Sequence, residues 1–232
     1  MINNIINDIN SLIGTGNVSF NKKILQIIPG GYGKKDVLLG VSLPNLRKIA
    51  KKYYLEVEVF DIEYFLQSEI HEYRLLAVIL ISMLYEQDAT KMFNLYINNF
   101  FYLNNWDIID ISCYKIVGRY LYDKFNDDEI FTYLKNLYEI DNFWVRRIAI
   151  VSTNYLIKKN KISLTLKFLE LTVGDKHHLN NKALGWMLRE VGKKDKERLI
   201  VFLKNNKVAN VTFNYATEKF TKEEKIILKG LN

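Results

Sequence analysis

The sequence predicts an all-α protein, an α-solenoid of two-helix repeats of the HEAT and armadillo kind. Three observations carry that expectation. Prolines occur only at Pro29 and Pro44, so 188 residues follow Pro44 without one, as a helical body requires. Beyond that point apolar residues recur at three- and four-residue steps, interrupted by short polar joints. A basic residue stands three before a small one in Arg74-x-x-Ala77, Lys115-x-x-Gly118, Arg146-x-x-Ala149 and Lys182-x-x-Gly185, at spacings of 41, 31 and 36 residues. Those spacings bracket the period of helix-pair repeats. The small residue lets helices approach closely, and the basic one is expected to recur along one side.

Taken in order, residues 1–40 read as amino-terminal helices and a glycine-rich loop, and 41–232 as the repeat body of a single domain. The loop, Pro29-Gly30-Gly31-Tyr32-Gly33-Lys34-Lys35-Asp36, lacks a Ser or Thr after its lysine and follows no strand pattern. It therefore reads as a surface connection and not as a phosphate loop. Ser42 ahead of Leu43-Pro44 marks a helix start, with proline in the first turn where its missing N–H costs nothing. Helical patterns then run over Leu46–Tyr54, Tyr73–Tyr85, Met92–Phe101, Ile108–Tyr122, Ile130–Leu137, Trp144–Ile157, Leu164–Leu171, Leu179–Val191 and Leu199–Leu203. Joints fall at Glu86-Gln87-Asp88, 123–128, Asp141-Asn142, 158–161, Gly174-Asp175 and Gly192-Lys193-Lys194. Such short connections force neighbouring helices to pack antiparallel.

Hydrophobic residues make up 49% of the chain and charged residues 25%, ordinary for a folded soluble protein. The lone Cys113 excludes an internal disulfide framework and suits a reducing cytoplasm. The amino terminus has neither the basic stretch nor the cleavage site of a signal peptide, and no apolar run is long enough for a membrane span. Cytoplasmic residence is expected. The net charge of +7 is uneven: residues 1–116 carry 11 basic and 12 acidic side chains, residues 117–232 carry 22 and 14. A polyanionic partner, DNA or RNA first, is one reading of that asymmetry, and a lysine-rich solvated surface is the other.

Metal-ligand spacing is absent. His71 is isolated and His177-His178 are adjacent, with no cysteine set beside them, so no metal is expected. No local Ser-His-Asp or Cys-His signature occurs. The three tryptophans are more informative. Trp106 and Asp110 are four apart and share a helical face, while Asp107, one residue on, points off it. Trp144 precedes Arg146 and Arg147, which cannot share a face. Trp186 follows Gly185, which would leave room for something large, and Arg189 lies three further on. A core tryptophan beside a surface aspartate is the structural alternative. The chemical one is a site that stabilises positive charge beside a polyanion.

In sequence order, Gly40-Val41-Ser42-Leu43-Pro44-Asn45-Leu46-Arg47, Trp106-x-x-x-Asp110, Trp144-x-x-Arg147-x-Ala149-Ile150 and Lys182-Ala183-Leu184-Gly185-Trp186-x-Leu188-Arg189-Glu190 resemble the AlkD family of DNA alkylation repair glycosylases. The resemblance spans most of the chain and implies HEAT-like repeats with a concave DNA-binding face. It places the catalytic aspartate on Asp110, the lesion-facing tryptophans on Trp106 and Trp186, and the backbone-contacting arginine on Arg147. Lys182, Arg189, Lys193 and Lys194, with Arg147, are the DNA-binding candidates. Two departures bear on lesion preference. Asn105 stands where the family often carries a second tryptophan or another bulky residue, and Leu179-Asn180-Asn181 differs from its usual approach to the Lys-Ala helix.

The implied activity is a monofunctional glycosylase that excises cationic N3- and N7-alkylpurines from duplex DNA. It needs no cofactor, metal or membrane, works as a monomer and associates with the nucleoid. A non-catalytic DNA- or RNA-binding repeat protein and a protein-binding scaffold are the alternatives. The set Trp106, Asp110, Arg147 and Trp186 discriminates, because a scaffold has no reason to keep all four.

Overall fold

The computed structural model describes residues 1–229. Among them the structure is helical throughout, apart from turns and one isolated bridge between Val37 and Ile70. The chain divides into two compact units, Met1–Ser112 and Cys113–Asn232. No helix among the described residues is long and apolar enough to cross a membrane.

The first unit contains α1 (Ile2–Asn10), α2 (Val18–Ile24), α3 (Leu43–Tyr53), α4 (Val59–Leu66), α5 (His71–Leu84), α6 (Ala89–Asn98), a short 3-10 turn (Phe100–Tyr102) and α7 (Trp106–Cys113). Helix α5 is its centre: α3, α4 and α6 all pack on it, and α1 packs on α3. Leu46, Ile62, Phe65, Leu76, Leu80 and Ile81 are fully buried there. Asp88 caps α6, its carboxylate accepting from the Lys91 amide at 2.9 Å. Glu58 and Asp61 form a reciprocal capping box at α4. Helix α4 has no counterpart among the sequence-predicted segments. Its eight residues, Val-Phe-Asp-Ile-Glu-Tyr-Phe-Leu, alternate around Asp61 and Glu63, and so short a run does not separate helix from strand.

The second unit contains a π-helical turn (Tyr114–Gly118), α8 (Arg119–Lys124), α9 (Asp127–Glu139), α10 (Phe143–Lys158), α11 (Ile162–Glu170), α12 (His178–Lys194), α13 (Lys196–Asn205), α14 (Asn210–Ala216) and α15 (Lys222–Lys229). Helix α10 is its core, packed against the π turn, α8, α9, α11 and α12. Asn126 and Asn142 cap α9 and α10 through their side-chain oxygens, as the polar joints implied. The predicted joint at Gly192-Lys193-Lys194 is instead the last turn of α12, which Asp195 ends by capping α13. The segment expected as one helix over Ile108–Tyr122 is α7, the π turn and α8 in succession.

Two of the four repeated small residues, Gly118 and Gly185, sit where helices approach closely, as their spacing predicted. A Cβ on Gly118 would lie 2.1 Å from the Ser152 carbonyl oxygen of α10, and one on Gly185 would lie 2.7 Å from the Thr212 carbonyl oxygen of α14. Gly185 therefore admits a neighbouring helix of its own chain, which is what approaches it closely. The basic member of the repeat is not uniformly a surface residue. Arg74 is 4% exposed and pairs internally with Asp36 at 2.5 Å.

Candidate functional site

Helix α7 displays Trp106 and Asp110 one turn apart, both half-buried, while Ile108 and Ile109 face the core. Its amino-terminal turn is stitched to the carboxyl-terminal end of α2. Asn105 is fully buried; its side-chain oxygen accepts from the Trp106 amide at 2.9 Å and its Nδ2 donates to the Leu25 carbonyl at 3.1 Å. The Trp106 indole N–H donates to the Ile24 carbonyl at 3.4 Å. The departure at Asn105 thus has a structural cause, because an amide here supplies one donor and one acceptor to backbone that a bulky apolar side chain would leave unsatisfied.

Asp107 does point away from the Trp106 face, but not into solvent. Its Oδ2 lies 2.8 Å from Nε2 of His71, whose Nδ1 lies 3.0 Å from Oδ2 of Asp36. Asp36 also pairs with Arg74, whose Nη1 donates to the Ser68 carbonyl. An imidazole between two carboxylates needs a proton on each nitrogen, so this ring is an imidazolium. Burial opposes the charge, yet Asp107 and Asp36 outweigh burial and push the His71 pKa up to about 9. For Asp36, burial raises the pKa, while His71 and Arg74 more than offset it and hold the group below its ordinary value.

The glycine-rich segment keeps Pro29, Gly30, Lys34 and Lys35 at the surface, as a connection does, and is fastened at its end through Asp36. The buried carboxylate of Glu72 accepts the amides of Leu39, Gly40 and Val41 at 3.0, 2.6 and 3.2 Å. His71, isolated in the sequence, meets partners 35 and 36 residues away.

The raised pKa has a consequence for stability. His71 titrates near its ordinary 6.5 in the unfolded chain and near 9 in the folded one. Its stabilisation is therefore fully present below about pH 6.5 and lost as pH rises through about 9, an effect of up to about 3 kcal/mol. Urea midpoints should fall between pH 6 and pH 9.5, and His71→Gln should abolish most of that difference. An equal fall in the variant would assign the pH dependence to other groups.

In the second unit α12 carries Lys182, Trp186, Arg189, Lys193 and Lys194. Trp186 is half-buried, and its indole N–H donates to Oε1 of Glu190 at 3.2 Å. The same carboxylate receives Lys193 at 2.7 Å and lies 3.6 Å from Arg189. Glu190 is the residue that sequence reasoning passed over. Its position four after Trp186 is the signal that could have found it. Arg189 also pairs with Glu218, and Lys196 with Glu224. Arg189, Lys193, Lys196 and Lys219 line a hollow of about 100 Å³ floored by Leu199 and Phe220. Lys194 is exposed in the last turn of α12.

Arg146 and Arg147 separate as expected, one of them to a carboxylate. Arg146 lies 3.3 Å from Asp175. Arg147 is 5% exposed, and its Nη1 donates to the Leu179 carbonyl at 2.5 Å, anchoring the first turn of α12. Asn180 and Asn181 depart from the family pattern because both bind Asp175, through its side chain at 3.0 Å and its carbonyl at 2.9 Å. Among the described residues no three His, Cys, Asp or Glu side chains gather as a metal site.

Each unit is built from packed helix pairs, the architecture of a helical-repeat protein. A family model described as DNA alkylation repair enzyme matches residues 20–220, and the chain belongs to that family. Two solved structures share its fold. A predicted DNA alkylation repair enzyme from Enterococcus faecalis aligns with a TM-score of 0.68 at 18% identity, covering 89% of this chain and 97% of the other. AlkD2 from Streptococcus mutans aligns with a TM-score of 0.59 at 17% identity, covering 88% and 97%. No curated protein matches the sequence. The resemblance to the AlkD family read from the motifs is upheld, and so is the all-α helical-repeat fold.

Proposed function

We propose that this family member is a monofunctional DNA glycosylase that hydrolyses the N-glycosidic bond of cationic N3- and N7-alkylpurines in duplex DNA. The observation that carries the reading is the Trp106–Asp110 pair, half-buried and one turn apart on a helix whose first turn is fastened on several sides. Residues 1–232 are read as one repeat domain, in keeping with a single family model that extends through both compact units.

A purine alkylated at N3 or N7 already carries positive charge, so it departs without a general acid. Breaking its bond to C1′ builds oxocarbenium character on the deoxyribose. The Asp110 carboxylate opposes that charge and positions the attacking water. The indole faces of Trp106 and Trp186 each contribute about 0.5–2 kcal/mol of cation–π attraction. Glu190 fixes the edge of the Trp186 ring. Arg147 is assigned a phosphate contact from the matched motif, in addition to its anchoring of α12. No resident metal or organic cofactor enters this chemistry, and a monomer suffices for it. Release of free base from methylated duplex by the purified protein is the test.

Binding to duplex DNA rests on Arg147, Lys182, Arg189, Lys193 and Lys194. With about five phosphates neutralised, the slope of log affinity against log salt should be about −4.5, and each cation removed should flatten it by about one. Affinity indifferent to salt would point to a protein partner instead. Arg189 and Lys193 meet carboxylates in the free protein, so their phosphate contacts exchange one ionic partner for another.

A further inference from the structure

We propose that His71 is a positioning residue for excision: as a doubly hydrogen-bonded cation between Asp36 and Asp107, it fixes the first turn of α7 and thereby the attitude of Trp106 and Asp110. The inference rests on the glycosylase reading for its effect on rate, but the linkage itself is a property of the fold.

The geometry leaves little room for another use of this ring. Its side chain is 1% exposed and both nitrogens are engaged, so it has no position from which to reach DNA. What it joins is specific. Asp36 ends the glycine-rich segment, and Asp107 is the second residue of α7. Asp107 also accepts the Ile108 amide at 2.9 Å through its other oxygen. One carboxylate therefore holds a free helical N–H and the His71 ring together, which sets the rotation of α7 about its axis. The two neighbouring ties, Asn105 to Leu25 and the Trp106 indole to Ile24, run to the carboxyl-terminal end of α2. Helix rotation and indole orientation are thus determined together.

The charged groups around the ring are Asp36, Asp107 and Arg74. While His71 is protonated, both carboxylates accept from it and Arg74 balances the second negative charge. Once it loses a proton, one carboxylate faces a lone pair. Repulsion then acts on the Asp107 or the Asp36 contact, depending on which nitrogen keeps its hydrogen. The first turn of α7 is released from the glycine-rich segment, and the Trp106 N–H to Ile24 bond is perturbed with it.

The experiment follows the Trp106 indole N–H by nitrogen-15 NMR on the full-length protein, assigned by its disappearance in Trp106→Phe. In the wild type this resonance should titrate with a midpoint near 9, the value about which the buried ring loses its proton. In Asp107→Asn the midpoint should move down, because one of the two carboxylates that favour the cation is gone. In His71→Gln the transition should vanish while helicity and affinity for duplex DNA are retained. The single-turnover excision rate of His71→Gln should fall roughly ten- to a hundredfold, the scale of an ångström's misplacement of a reacting group.

A resonance that does not titrate between pH 7 and 10 in the wild type overturns the linkage, whether or not either variant folds. A folded His71→Gln protein that excises at the wild-type rate overturns the positioning role. Failure of the glycosylase reading is distinct: no base is then released by the wild type, while the indole titration still reports the linkage.

Discussion

Asp110→Asn should lose at least about a hundredfold in the rate of base release while keeping its fold and its affinity for duplex DNA. The change is nearly isosteric and preserves the volume of a side chain half-buried on α7. What disappears is the negative charge set against a developing oxocarbenium ion. Removing one such preorganised group from a partly dehydrated site costs roughly 3–4 kcal/mol of transition-state stabilisation. Single-turnover release from methylated duplex measures it directly. Trp106→Ala should cost less, since its cation–π share is about 0.5–2 kcal/mol. Asp107→Asn is no neutral comparison, because Asp107 is the partner of His71. Unchanged release by Asp110→Asn would remove this carboxylate from the reaction.

The largest loss of stability should follow Gly118→Ala. The added methyl would stand 2.1 Å from the Ser152 carbonyl oxygen and 3.0 Å from its carbon. Both are backbone atoms in the most buried helix of the second unit, so no flexible side chain can move aside. Either α10 shifts away from the π turn or the turn itself rewinds. Overpacking of this kind costs about 1–3 kcal/mol, and backbone contact belongs at the upper end. Thermal unfolding should fall by roughly 2–4 °C per kcal/mol for a chain of this size. The variant should keep the helical circular dichroism of the parent below its transition. A melting temperature equal to the parent's would show that the π turn yields without cost.

The helical body was legible because its signals are local. Caps at Asp88, Asn126 and Asn142 and amphipathic runs between them need no knowledge of the rest of the chain. Two local features misled. The shortness of its pattern, alternating around Asp61 and Glu63, hid α4, and Gly192 suggested a joint where α12 continues to Lys194. The π turn left no trace in periodicity, although Gly118 within it was singled out as a close-approach residue.

For the site, the Trp106–Asp110 and Trp186–Arg189 spacings were readable because one helical turn relates their members. The supports were not. His71 finds its carboxylates across 35 and 36 residues, and Arg147 finds the Leu179 carbonyl across 32. Contacts of that separation are products of tertiary packing, and no spacing rule announces them. Charge counting likewise overstated the supply of uncommitted cations, since Arg74 is buried against Asp36 and Arg189, Lys193 and Lys196 already face glutamates.

On the reading proposed above, this chain breaks the bond between an alkylated purine and its sugar. Purified protein incubated with duplex DNA methylated at purine N3 and N7, followed by chromatography of the soluble products, tests it most directly. Free methylpurines should be released without added metal or cofactor, leaving abasic sites in an otherwise intact duplex, and release should collapse in Asp110→Asn. Tight, salt-sensitive binding to the same duplex with no free base above the uncatalysed rate would contradict it and leave a DNA-binding repeat protein in its place.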